Sequence, residues 1–250
     1  MFELTERQRQ LINAVIEMFM QTATPVGSEE LKDTYSFDFS AATIRNELAD
    51  LAKEGLLFKE HSSAGRVPTT LAWRYYITEV LNETPQDVLS EIEHRNRIIQ
   101  NRFSIDRIVK EATSSLAEYT NYASLGIVRN TNRQNQYTPI YLSGLANLID
   151  LPEFHDIEKF KTLIQLLEDS HSLNKIFDMS KVNNDISILI GEEMGLTELS
   201  HVALVFSKFH IGKNDNVILS VIGPSRLNYS KVIPAVRMMM KNVQEATMGW

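Results

Sequence analysis

The sequence predicts an α+β protein built in two parts, and three observations carry that reading. Up to Leu81 the apolar residues recur at helical spacing, interrupted once by a short polar-tipped hairpin between Leu56 and Pro68. From Tyr122 the spacing changes to apolar runs of strand length at 122–128, 139–142, 186–190, 202–209 and 217–222. Helical segments at 155–169, at 174–177 and from Tyr229 or Ser230 alternate with these runs, an order that makes a largely antiparallel sheet with helices packed on it. The expected divisions are a helical N-terminal domain at 1–82, linker and packing helices at 83–121, and a sheet domain at 122–250.

Thr5 followed by Gln8 makes a capping box, and Leu11, Val15 and Met18 with Ile12, Ile16 and Phe19 form the wide core stripe of a first helix ending near Gln21. Pro25 and Gly27 break the chain, and Ser28 is expected to cap a short helix containing Leu31. Residues 35–39 form a tight connection, with Phe37 and Phe39 expected to plug the core. Ile44, Leu48 and Leu51 then recur at i, i+4 and i+7, burying one side of a helix that begins near Ser40 and stops at Gly55.

The opposite face of that helix carries Ala42, Asn46, Ala49 and Lys53, flanked by Thr43 and Arg45. An ordinary solvated face would be mostly Glu and Lys. Small side chains let a backbone approach a surface closely, and Asn and Arg carry the paired groups that match adenine and guanine edges in the major groove. A hairpin follows, with a polar tip at His61, Ser62, Ser63, Ala64, Gly65 and Arg66 that can lie along a phosphate backbone. Helix, short helix, helix and hairpin make a winged helix-turn-helix. Thr43 and Asn46 are expected at base edges and Arg45 at a base or phosphate. Ser40 and the helix N-terminus are expected at a phosphate, and His61, Ser62, Gly65 and Arg66 along the backbone, with Ser63 and Thr69 completing the set. Pro68 ends the wing, and Thr69 or Thr70 caps a helix through Leu81 whose Trp73, Tyr75, Tyr76 and Ile77 are read as packing rather than as a stacking platform for bases.

At these residues a family resemblance emerges. ATIRNELADLAKEGLL, HSSAGRVPT and WRYYITEVL resemble the HrcA heat-inducible transcription repressors of bacteria. The resemblance extends upstream through LTERQRQLINAVI and PVGSEEL, and downstream to SGLANLIDLPEFHDIEKF, IGEE and VIGPSRLNYSKVI. It implies a dimeric DNA-binding repressor of chaperone genes acting at an inverted-repeat operator of the CIRCE type. It also implies a GAF-like fold for the regulatory domain at 122–250 and a GroEL-type chaperonin as partner. One departure stands out: the family's inserted dimerisation domain is reduced here to about Arg129–Thr138, so a dimer contact must come from the linker helices or a sheet edge. A rival reading makes the GAF-like domain a small-molecule receptor that controls the winged helix.

Composition sets the remaining bounds. With 250 residues and 43% hydrophobic content the chain can bury the cores of two domains. No apolar run approaches the ~18 residues of a membrane span. MFELTERQRQ enters a helix without an apolar leader core, and cysteine is absent, which together point to the cytoplasm. The net charge of −7 is unusual for a DNA binder, and residues 1–82 hold eight Lys and Arg against twelve acids. Within 40–76, however, five cations meet four acids, so the positive surface is local. Such a protein is expected to bind random DNA weakly and to lean on base contacts and dimerisation.

A search for catalysis or metal chemistry yields neither, and no cofactor is expected. His94, His155, His171, His201 and His210 show no i, i+4 pair and join no carboxylate at ligand spacing. Glu192 and Glu193 after Gly191 read as a turn with one inward hydrogen-bonding residue. The turn Gly223, Pro224, Ser225, Arg226 leaves two readings, an anion held by Arg226 or Arg226 paired to a carboxylate. Before the sheet, a polar helix carries only the thin stripe Val88, Ile92 and Ile99, broken by Arg95, as a surface connector or half of a two-helix dimer contact would. The helix at 104–119, with Ile105, Ile108, Val109, Ala112 and Leu116, is expected to pack.

Overall fold

Capping chemistry sets the starts of the N-terminal helices. The computed structural model describes residues 3–59, 65–84, 88–101, 104–130, 138–179, 185–212 and 214–248, and the chain divides into two units, Met1–Asn82 and Glu83–Trp250. In the first unit Thr5 and Gln8 form the expected capping box of helix α1 (Glu6–Thr22), which buries Leu11, Ile12, Val15, Ile16 and Met18. Helix α2 (Ser28–Thr34) departs from expectation, because Gly27 rather than Ser28 is its N-cap. Gly27 is extended, and its N–H donates to the Glu30 carboxylate at 3.4 Å, so Ser28 is already the first helical residue.

Phe37 and Phe39 do not plug the core. They are half-buried and stack on one another at 5.0 Å, with Tyr35 against Phe37 at 5.6 Å, while Ile44, Leu48, Leu51 and Leu31 fill the interior. Rings in a connection of five residues can cover the edge of a core whose centre the helices already occupy. Helix α3 (Ala41–Lys53) ends at Gly55, whose φ of +79° suits glycine. Strands β1 (Leu57–Phe58) and β2 (Val67–Pro68) form an antiparallel hairpin, and Arg66 adds a bridge to Val26, the two backbone bonds being 2.9 and 2.8 Å. Thr69 caps helix α4 (Thr70–Tyr75), which continues as a π-helical turn, Tyr76–Val80. Trp73 and Tyr75 are buried, as packing residues should be.

The second unit is built on a five-stranded antiparallel sheet of order β4-β3-β7-β6-β5. Its strands are β3 (Ala123–Asn130), β4 (Ile140–Ser143), β5 (Ser187–Ile190), β6 (Val202–Ile211) and β7 (Asp215–Pro224). Helix α5 (Val88–Gln100), helix α6 (Ile105–Thr120) and helix α10 (Tyr229–Ala246) pack together, with α6 and α10 on one face of the sheet. A Cβ on Gly126 would stand 2.3 Å from Thr113 Oγ1, so α6 can lie this close to β3 only over a glycine. On the other face the core gathers Leu125, Ile127, Leu204, Phe206, Ile218 and Ile222 with residues of helix α8 (Ile157–Glu168) and helix α9 (Ser170–Met179).

Several local expectations are revised here. Among the described side chains of α5 the buried ones are His94 and Ile98, while Ile92 and Ile99 are 49% and 37% exposed; the side chain of Val88 lies outside the described set. Helix α8 starts at its N-cap Asp156 rather than at His155, and Ile157 is 77% exposed. Helix α9 runs well beyond 174–177, and the short helix α7 (Ala146–Ile149) and a 3₁₀ turn, Pro152–Phe154, fill a stretch with no assigned structure. Glu193 behaves as expected: it sits in a 3₁₀ turn and accepts the Ile190 N–H at 2.9 Å. Arg226 resolves to the carboxylate reading, held by Glu153 through both its Nε and Nη2, with both side chains largely buried.

Candidate nucleic-acid interface

The exposed face of α3 is fixed by what its other face must do. Ile44, Leu48 and Leu51 are buried, and the helical period therefore turns Ala42, Arg45, Asn46 and Lys53 to solvent, with Thr43 and Ala49 half-exposed at its margins. At the N-terminus the Ser40 hydroxyl oxygen accepts the Thr43 N–H at 3.2 Å and lies 3.0 Å from the Thr43 hydroxyl. One orphan donor of the first turn is thereby satisfied by the cap, and the positive end of the helix dipole stays beside Thr43 and Asn46.

Charge on this face is sparse. Lys53 Nζ binds Asp50 at 2.7 Å, and that hydrogen bond, then Asp50's charge, holds the ammonium pKa above its ordinary value. Arg7 is engaged by Glu47 at 3.3 Å and stacks over Phe39 at 5.3 Å. Among the described residues no ion pair engages Arg45 or Arg66. Arg66 is half-buried, and its Nε is buried without a hydrogen-bond partner among the described residues.

Gly65 is set by packing. A Cβ there would lie 2.5 Å from the Pro25 carbonyl carbon and 2.7 Å from the Val26 nitrogen, so only glycine lets the base of the wing rest on the turn before α2. Thr69 is occupied by the fold: its hydroxyl donates to Gly55 O at 2.7 Å, lies 3.0 Å from Leu56 O, and accepts the Ala72 N–H at 3.3 Å. It ties the end of α3 to the start of α4. His61, Ser62 and Ser63 lie outside the described residues. Of the sequence-derived set, Ser40, Thr43, Arg45 and Asn46 share one helix end and Gly65 and Arg66 share the wing base. The anchoring role of Val26 went unread, because a single extended residue between Pro25 and Gly27 leaves no periodic signal.

Comparison with known proteins adds to this geometry. Residues 76–233 match the family described as HrcA protein C terminal domain. The chain is similar to the heat-inducible transcription repressor HrcA of Carboxydothermus hydrogenoformans, 25% identical over 338 residues, covering 97% of this chain and 98% of the relative. It is similar also to the protein of that name from Clostridium perfringens, 24% identical over 336 residues with the same coverage. An alignment of 338 positions against a chain of 250 residues leaves at least 88 positions opposite gaps in this chain. A crystal structure described as a hypothetical protein at 2.2 Å resolution shares the fold, with a TM-score of 0.74, 17% identity, and coverage of 98% of this chain and 99% of that one. No helix among the described residues is long and apolar enough to cross a membrane.

Proposed function

We infer the function of this chain from one premise: it belongs to the HrcA family, whose C-terminal domain matches more than half of its length. The matched relatives are heat-inducible transcription repressors, and the chain is a transcription regulator of that kind rather than an enzyme. We propose that it acts in the cytoplasm as a homodimer on an inverted-repeat, CIRCE-type operator of chaperone genes, each winged helix reading one half-site.

The observation that carries the proposal is the exposed end of α3, where Ala42, Thr43, Arg45 and Asn46 stand beside a capped N-terminus. Alanine clears the approach to the groove floor. Asn46 offers an amide suited to adenine N6 and N7, and Arg45 a guanidinium suited to guanine or a phosphate. Ser40 would meet a phosphate at the helix end, and Gly65 and Arg66, with His61, Ser62 and Ser63, would run along the backbone. Thr69 supports this surface through the Gly55 carbonyl rather than by touching DNA.

Dimerisation follows from weakness: a face with few free cations gains useful affinity only by doubling its contacts. Exposed Ile92 and Ile99 on α5 supply one apolar stripe for such a contact, and β4 and β5 supply two outer sheet edges that pair with no further strand among the described residues. A GroEL-type chaperonin as the partner that keeps the repressor competent is part of the same proposal and rests on family membership. A gel-shift titration with the full inverted repeat and with a single half-site tests it. Tighter binding of the full repeat supports the dimer; equal affinity for both refutes it. A second reading, with a small molecule in the second unit controlling the first, is favoured by a cavity of about 340 Å³ at one end of the large sheet.

A further inference from the structure

Strand register places an unusual group of side chains in that cavity. Arg129 of β3 pairs with Asn216 of β7, which pairs with His210 of β6, so the three occupy one row across neighbouring strands. Lys208 stands opposite Ile218 in the adjoining row. Alternate strand positions share a face, so all four lie on the face that carries Ile127, Ile218 and Phe206, where the apolar core gives way to polar residues. Arg129, Lys208, His210, Asn216 and Ile218 line the cavity.

The charges there do not balance. Arg129 meets one carboxylate, Asp178, at 2.9 Å, and a second nitrogen reaches Asn174 O at 3.4 Å. Its Nε is buried and has no hydrogen-bond partner among the described residues. Lys208 meets a backbone carbonyl, that of Phe177, rather than an acid, and lies over the Phe206 ring. Among the described residues the two cations Arg129 and Lys208 against the one acid Asp178 leave a surplus of one positive charge, in a chain whose net charge is −7. Burial, opposed by the Asp178 charge and aided by Arg129, holds the Lys208 ammonium below its ordinary pKa. Among the described residues no hydrogen bond engages the His210 ring or the Asn216 amide. Capping of α9 accounts for two of these donors and leaves the buried Arg129 Nε unexplained, while the exposed His210 ring and the half-exposed Asn216 amide are open to a ligand.

We propose that this corner is a binding site for a small organic anion, a phosphate- or carboxylate-bearing metabolite, gripped by Arg129 and Lys208 and oriented by His210 and Asn216. The cavity falls within the size range of small-ligand sites, and the guanidinium fork suits both anion types. The site goes beyond the DNA-binding reading and does not depend on it.

The test is an NMR titration of the full chain in an anion-poor buffer, following the Arg129 Nε–H resonance, identified by its loss in Arg129→Gln. Inorganic phosphate and acetate are the two probes, and glycerol is the neutral control. A saturable shift with an anion and none with glycerol supports the site, and the tighter of the two anions names the ligand class. Backbone amides of Lys208 and His210 report binding in the variants. Arg129→Gln is expected to weaken binding about tenfold or more. Asp178→Asn removes the competing carboxylate and is expected to tighten it severalfold, an effect opposite to that of mere damage to the fold. No saturable shift, an equal response to glycerol, or unchanged or weaker binding in Asp178→Asn overturns the assignment.

Discussion

Replacing Gly65 by alanine tests whether the wing is positioned by the turn before α2. The added Cβ would stand 2.5 Å from Pro25 C, 2.6 Å from Pro25 O and 2.7 Å from Val26 N, and all three are backbone atoms that no rotamer change can move. Ordinary contact begins near 3.4 Å, so the two segments must part by roughly 0.8 Å. That displacement takes the Val26–Arg66 bonds of 2.9 and 2.8 Å beyond hydrogen-bond range. Steric strain of about 1–3 kcal/mol and two weakened bonds at ~0.5–1.5 kcal/mol each, partly relieved by relaxation, give about 2–4 kcal/mol. For a unit this small the melting temperature should fall by ~10 °C or more. Gly27→Ala is the control: nothing lies within 4 Å of its added Cβ, and only a helix-cap preference under ~1 kcal/mol is at stake. Thermal melts paired with operator gel shifts read both effects. A Gly65→Ala protein that melts within ~2 °C of the parent refutes the anchoring argument.

The residues proposed to read bases give a cleaner functional test. Asn46→Ala should cost about 1–3 kcal/mol of operator binding, ~5–150-fold, with an unchanged melting temperature because Asn46 is exposed; a melting loss would show that it supports the fold instead. Arg45→Ala should weaken binding and flatten its salt dependence if Arg45 meets a phosphate, but relax base preference if it meets guanine, which competition between variant operators distinguishes. In the second unit Arg226→Met strands the largely buried Glu153 carboxylate and should cost ~3–5 kcal/mol, whereas Arg226→Met with Glu153→Leu should recover most of it in denaturant titrations. His94 and His201 both have pKa values below the ordinary one, chiefly through burial. Their folded forms bind fewer protons than the unfolded chain, so the stability they contribute is complete above the unfolded pKa near 6.5 and is lost as pH falls below it. Melting between pH 7.5 and 5.5 should show that decline, and His94→Gln should reduce it.

How much of this was legible in the sequence depends on how strongly burial was written into residue type. Helix α3 could be read because Ile44, Leu48 and Leu51 are strongly apolar at helical spacing and Gly55 marks its end. Helix α5 could not, because one of the two buried residues among its described side chains is a histidine. Burial holds the His94 pKa below its ordinary value, its Nδ1 lies 2.5 Å from Arg97, and its ring meets Tyr119 edge-on at 6.0 Å, so a residue that reads as polar is a core residue. Of the apolar stripe Val88, Ile92 and Ile99 that the sequence advertises, the two residues with described side chains, Ile92 and Ile99, are left outside. Phe37 and Phe39 misled in the opposite direction, since large rings can satisfy themselves by stacking at a margin. The site divides in the same way. Helix period placed Asn46 and Arg45, whereas the steric need for glycine at position 65 depends on Pro25 and Val26, some forty residues away in sequence.

An acidic chain can still be a DNA-binding regulator if specificity is carried by contacts other than general attraction. With Lys53 engaged by Asp50 and Arg7 by Glu47, Arg45 and Arg66 are left as the natural phosphate partners on the proposed face. Two phosphates per protomer imply a salt slope of about −1.8 in log–log form, and four per dimer about −3.6. Between 50 and 200 mM salt the single half-site complex would then weaken by ~12-fold and the full-repeat complex by ~150-fold. Both losses are modest beside those of a strongly basic protein. What such a surface gives up is non-specific binding, which runs almost wholly on phosphate contacts, while the Asn46 amide and the close approach allowed by Ala42 are insensitive to salt. On the proposed reading such a repressor would stay off random DNA and hold a matched pair of half-sites, with a grip that depends on a second copy. Any event that separates the pair, or occupies the faces that join it, would release the operator without altering the reading helix at all.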